Sequence, residues 1–306
     1  MRQHSYYNTL ILLAFTAITA GCASAPSTPN GAFADDELRD TDRDLIFSTE
    51  FPVANKADAL LRADTARKSG EIDKALFFYV KALQFDPKDA DLLAAIGLLH
   101  QYQGNDELAA RAYTMALDAK PDYAKVLEAR GLIYLAHEEN ERALADLTRA
   151  AEIAPDSWQA HNGLGLLADR AGNHDVAIGH YDKALALNPN SGAILNNRGY
   201  SQLLAHKYLG AEIDLRMAAE THGHKQAWVN LGTLYARLGR YDLAVEAFEK
   251  VLPEAEAFNK VAEASIQKGD YTTAETLLEQ AIRLSPTYFP AAEENLAQLK
   301  LKTGGG

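Results

Sequence analysis

Only one cysteine stands in the 306 residues, at Cys22. A lone thiol cannot close an internal disulfide, so no covalent framework holds this chain. Tryptophan is nearly as scarce, with two residues. No apolar run reaches the roughly 20 residues that a membrane-spanning helix needs; the run at residues 9–20 (TLILLAFTAITA) stops at twelve. Dense runs of Lys and Arg are missing too, and the formal net charge is −12. Nonspecific nucleic-acid binding needs a basic stripe to displace counterions, so that class is excluded. There is no P-loop, no GxGxxG and no GxSxG. The nine histidines do not fall at ligand spacing with acidic or cysteine partners. His222 and His224 flank a glycine in a loop and read as solvated, and His161 and His180 read as surface or core-edge residues. No catalytic residue, metal, cofactor or small-molecule substrate is expected, and the chain reads as a non-enzyme.

What is present begins with an export signal. Arg2 gives a weakly positive start, and a twelve-residue apolar run is the right length for the hydrophobic core of a secretory signal. Ile18-Thr19-Ala20-Gly21-Cys22 resembles a bacterial lipobox, with Thr19 where Leu is usual. The resemblance implies a signal peptide over 1–21 and a mature chain starting at Cys22, with diacylglycerol on its sulfur and a fatty acyl group on its amine. Each buried methylene contributes about 0.8 kcal/mol, and several acyl chains together anchor stably where one is marginal. An ordinary signal peptide cleaved after Ala20 or Ala25 is the other reading. Ala23 follows the cysteine where inner-membrane lipoproteins carry Asp, so resemblance to Gram-negative lipoproteins implies the periplasmic face of the outer membrane. Residues 22–55, rich in Ser, Pro, Asn and charge, bury little apolar surface and read as a flexible tether.

From there one pattern repeats. Pro87, Pro121, Pro155 and Pro189 stand 34 residues apart, the period of the tetratricopeptide repeat, which this region resembles. The eighth positions are Ala63, Gly97, Gly131, Gly165, Gly199, Gly232 and Ala262. The twentieth are all alanine: Ala75, Ala109, Ala143, Ala177, Ala211, Ala244 and Ala274. The twenty-fourth are Tyr79, Tyr113, Leu147, Tyr181, Leu215, Phe248 and Leu278. Two helices of one unit touch where only a small residue lets their backbones approach, and a bulky residue of the second helix is expected to fill space toward the neighbouring unit. Asp122, Asp156 and Asn190, after the prolines, are expected to cap the following helices. The expected fold is all-α, a right-handed superhelical solenoid of about seven helical hairpins. The units are 56–89, 90–123, 124–157, 158–191, 192–224, 225–254 and 255–288, and a capping helix follows at 289–303. Two units break the period. The fifth has Gly223 where proline is due. In the sixth, Pro253 is expected to end a helix at Leu252 and let the next start at Glu254 or Ala255.

In such repeats the first helices line a groove. The fifth and sixth positions there give Asn162, Asn196, Asn197, Asn230 and Asn259. The ninth gives Leu98, Leu132, Leu166 and Tyr200, and Tyr102 falls at the groove's edge. An asparagine amide donates and accepts at once, so a row of them can hold an extended peptide backbone, with Leu and Tyr as apolar pockets. Asparagine at the sixth position is also common in these repeats and can bond within the stack instead. Both readings stand at this point.

Lipobox, tether and repeats together resemble outer-membrane lipoproteins that help assemble secretion and pilus machines. Residues 227–296, with the short junction LPEAEA and the closing SPTYFPAAEENL, resemble the TadD family of tight-adherence (Flp) pilus assembly. That resemblance implies a pilotin or scaffold without catalytic residues, whose protein partner is an outer-membrane secretin or pilus component. An adaptor for cell-wall (peptidoglycan) hydrolases or synthases, as in NlpI-like lipoproteins, is the alternative.

Overall fold

The computed structural model describes residues 52–285 and 287–304, and no strand occurs among them. Cys22, the signal sequence and the tether up to Phe51 lie outside the described residues. Fifteen helices follow one another. They are α1 Lys56–Lys68, α2 Ile72–Leu83, α3 Ala90–Tyr102, α4 Asp106–Ala119, α5 Ala124–Ala136, α6 Asn140–Ile153, α7 Trp158–Arg170 and α8 His174–Leu187. After them come α9 Gly192–Leu204, α10 Tyr208–Arg216, α11 Lys225–Leu238, α12 Tyr241–Glu249, α13 Glu254–Lys268, α14 Tyr271–Leu284 and α15 Pro290–Thr303. The fold is an all-α solenoid of helical hairpins. The described residues divide into two compact units, one up to Ala143 and one from Leu144 onward, the division falling within α6.

Four of the hairpins show one close approach each. A Cβ added to Gly165 on α7 would stand 2.5 Å from the Tyr181 ring on α8, and one on Gly97 of α3 would stand 2.5 Å from the Tyr113 ring on α4. Gly199 meets Leu215 and Gly232 meets Phe248 in the same way, at 2.7 and 2.8 Å. The bulky residue therefore lies on the small residue of its own hairpin, rather than only filling space toward the next. All seven alanines at the twentieth position are fully buried. In the second unit these contacts merge into a continuous core from Ala177 to Leu299. The first unit has a core of its own around Ala63, Phe78, Tyr79 and Ile96.

The turns show where local chemistry departs from expectation. Ser157 and Ser191, not Asp156 and Asn190, cap α7 and α9, each accepting from the backbone N–H three residues on. Tyr123, not Asp122, holds the cap position of α5 and makes no side-chain cap bond. The short polar side chain must sit at the last non-helical residue, and here that is one residue later than the proline register implies. Five inter-helix turns use a glycine at positive φ, but Glu138 (φ 61°) and His206 (φ 60°) serve in the third and fifth hairpins.

At the fifth hairpin α10 runs into a single π turn, Met217–Thr221. His224 N then donates to Ala218 O at 2.9 Å, and Gly223 (φ 63°) turns the chain. At the sixth hairpin α12 ends at Glu249, not at Leu252. Val251 N and Leu252 N both donate to Phe248 O, at 3.0 and 2.8 Å. Proline disfavours the α conformation in the residue before it, so the chain leaves the helix ahead of Pro253, which then caps α13. Val251, at the twenty-seventh position, is only half-buried as a result, whereas the other six residues there are alanines in the core.

Candidate functional site

In the second unit the first helices α9, α11, α13 and α15 touch in sequence, and α9 also touches α7. The asparagines of the repeat fall on this line, and the structure shows what they bond to. Asn197 Nδ2 on α9 donates to Asn162 Oδ1 on α7 at 3.3 Å. Asn196 Nδ2 reaches Asn197 Oδ1 at 3.5 Å, at the limit of a hydrogen bond. Asn230 Nδ2 on α11 donates to Asn196 Oδ1 at 2.8 Å. Asn295 Nδ2 on α15 donates to Asn259 Oδ1 on α13 at 3.1 Å. Every amide that crosses between hairpins donates toward the preceding one.

The line is interrupted once. Asn259 Nδ2 turns to Glu263 Oε1 on its own helix at 3.1 Å. Among the described residues no donor pairs with Asn230 Oδ1. This interruption lies at the shortened junction around Pro253.

Burial sorts the expected residues. Asn196, Asn230 and Asn259 are each only 7% exposed, and each makes one side-chain bond to an asparagine of a neighbouring hairpin. Asn162 and Asn197 are half-buried and keep unspent N–H or C=O capacity at the surface. Leu166 lies one turn from Asn162 and is half-buried, while Tyr200, one turn from Asn196 and Asn197, is exposed. Leu98 and Leu132 belong to the first unit, where Leu98 is exposed beside Tyr102 and Leu132 is half-buried. Asn295 and Glu263 complete the line and were missed by the sequence reading. Asn295 stands 36 residues after Asn259, close to the repeat period, and that spacing was the available signal.

On α7 a carboxylate joins three helices. Asp169 on α7 accepts from Tyr181 OH on α8 (2.9 Å) and from Ser201 Oγ on α9 (2.5 Å), and its other oxygen lies 2.9 Å from His174 Nδ1. Burial and the adjacent carboxylate push the Tyr181 phenol far above its ordinary range, so it stays a donor. On α9, Arg198 forks onto Asp214 of α10 at 2.6 and 2.7 Å and also reaches Asp182 of α8 at 2.7 Å. The Asp214 bonds hold the guanidinium protonated, raising its pKa against the cost of burial. Both sets fix the relative placement of the helices that carry Asn162 and Asn197.

The histidines behave as packed residues. The His161 and His180 rings lie 5.8 Å apart. Burial lowers both pKa values, and neither Nδ1 has a partner among the described residues. His224 is lowered by burial alone. Among the described residues no group of three or more His, Cys, Asp or Glu is placed to hold a metal ion. No described helix is long and apolar enough to cross a membrane.

Family models described as tetratricopeptide repeat match residues 60–89, 94–157, 128–192, 226–253 and 255–288. No curated protein matches the chain in sequence. Among solved structures, a tetratricopeptide repeat protein from Parabacteroides merdae is 20% identical with a TM-score of 0.56, over 80% of this chain and 98% of that one. The MamA protein is 23% identical with a TM-score of 0.50, over 56% of this chain and 93% of that one. A chain of the APC/C hetero-tetramer Cut9–Hcn1 is 20% identical with a TM-score of 0.54, over 80% of this chain and 49% of that one. At these identities the likeness is one of fold.

Proposed function

Because the chain belongs to the tetratricopeptide-repeat family, we propose that its protein-interaction scaffold holds an extended partner segment along the face of α7 and α9, tied to a membrane through Cys22. The observation that carries this is the state of Asn162 and Asn197. They bond each other across two hairpins, yet stay half-buried with amide capacity to spare, beside Leu166 and the exposed Tyr200. An extended backbone offers alternating N–H and C=O groups, which such amides satisfy whatever the side chains are. Asn196, Asn230 and Asn259 set the spacing of the helices, and the asparagines at the rim do the binding.

For location, the lipobox-like sequence ending in Cys22 supports lipidation and a place on the periplasmic face of the outer membrane. The likeness of residues 227–296 to TadD proteins supports a pilotin-like role in pilus or secretion assembly, with a secretin or pilus component as partner. In a tight-adherence host, a photo-crosslinker at Asn197 is expected to yield an adduct with that component. Cys22→Ala is expected to move the chain out of the outer-membrane fraction. Retention of the variant there sinks the anchoring claim. Adducts with peptidoglycan hydrolases or synthases alone would replace the pilus role with that of a cell-wall adaptor.

A further inference from the structure

The two shortest second helices of the array, α10 and α12, have nine residues each, but α10 runs on into the π turn whereas α12 simply stops. The second helices α8 and α14 have fourteen. Five missing residues remove about 7.5 Å of helix. The space left is a cleft of about 510 Å³ lined by Lys225, Gln226, Val229, Lys250, Val251, Leu252 and Pro253. The lining combines the aliphatic Val229, Val251, Leu252 and Pro253 with two exposed lysines, and it includes no carboxylate.

Among the described residues neither Lys225 nor Lys250 pairs with an acid; Lys250 lies 6.0 Å over the Trp228 ring, an attraction that leaves its N–H groups free. The cleft lies at the shortened junction around Pro253, where the asparagine line is interrupted. A carboxylate flanked by aliphatic side chains matches both the lysines and the aliphatic residues of this lining, and a basic segment does not.

We propose that this cleft is a subsite for an acidic–aliphatic stretch of the bound partner. The partner's carboxylate lies between Lys225 and Lys250, and its aliphatic side chain lies on Val229, Leu252 and Pro253. The subsite rests on the scaffold reading and extends the bound segment from α9 past α11.

The probe is a capped fluorescent peptide, Gly-Ser-Asp-Leu-Leu-Asp-Ser-Gly, measured by anisotropy on the full chain beside counterparts with Lys for Asp or Ser for Leu. The acidic–aliphatic peptide is expected to bind about tenfold more tightly than either counterpart, a difference of about 1.4 kcal/mol. Its binding should weaken as salt rises. Lys225→Glu with Lys250→Glu is expected to remove that preference and favour the lysine peptide. Both side chains are exposed, and an unchanged melting curve shows that the double variant folds. No binding by the unaltered chain, or equal binding by the double variant, overturns the subsite. Self-association that the double variant abolishes assigns the cleft to a second copy and also overturns it. Asn197→Ala separates the readings: if it alone weakens binding, the asparagine face stands without the subsite, and if neither change matters, both fail.

Discussion

Gly165 and Tyr181 leave no room for a methyl group between them: a Cβ on the glycine would stand 2.5 Å from ring carbon Cε1. Gly165→Ala must push the ring and α8 outward. Overpacking of this kind costs about 1–3 kcal/mol, more than the roughly 1 kcal/mol that alanine gains in helix propensity. Gly179, inside the same hairpin on α8, faces open space. Gly179→Ala is therefore expected to raise stability by about 1 kcal/mol. Urea denaturation of the two variants should give midpoint shifts of opposite sign, and shifts of the same sign would refute the close-approach account.

Arg198→Ala leaves the Asp214 carboxylate, 6% exposed, without its bidentate partner. Removing one member of a buried pair costs about 3 kcal/mol. Replacing both with apolar residues, as in Arg198→Met with Asp214→Leu, is expected to recover most of that loss. Equal losses in the single and double variants would show that packing, not the orphaned charge, is responsible.

Stability should fall as the solution is acidified through the histidine range. His161, His180 and His224 all titrate below the ordinary 6.5 because burial disfavours their charged forms. Lys183 adds repulsion at the first two, His161 adds more at His180, and a bond with the Pro155 carbonyl partly offsets the shift at His161. Between the folded values and 6.5 the unfolded chain binds more protons, so the slope of stability with pH is positive there. The stability is fully present above 6.5 and is lost as pH falls through that window. Denaturation midpoints from pH 7.5 downward should show this slope, and His161→Gln with His180→Gln should flatten it. An unchanged slope would mean that other groups drive the acid limb.

Asn196→Ala and Asn197→Ala should separate structure from binding. The first strands the Asn230 amide, 7% exposed, whose bond to Asn196 is 2.8 Å, and is expected to cost about 2 kcal/mol of stability. The second removes a longer bond at a half-buried site, so its stability loss should stay below about 1 kcal/mol while partner binding falls. The reverse ranking would move the binding role inward.

The positions that the sequence made readable are those governed by close approach. Ala177 or Gly165 admits no substitute of larger size, so the repeat shows them plainly. The asparagines are different. Whether Asn196 bonds a ligand or Asn230 depends on the distance between two helices 34 residues apart, and no single helix encodes that distance. The Asp169 contacts with Tyr181 and Ser201 were hidden for the same reason. The end of α12 was misjudged because the helical pattern runs on to Leu252, while the backbone restriction imposed by Pro253 acts before it. Glu138 and His206 turn the chain without the glycine that marks the other five turns.

The asparagine line also has a polarity. Each crossing amide points toward the preceding hairpin, so a hairpin inserted into the line must present an acceptor to its successor and a donor to its predecessor. Where Asn259 bonds Glu263 instead of Asn230, that requirement lapses. Among the asparagine-bearing hairpins, this boundary alone makes no such demand on its neighbour.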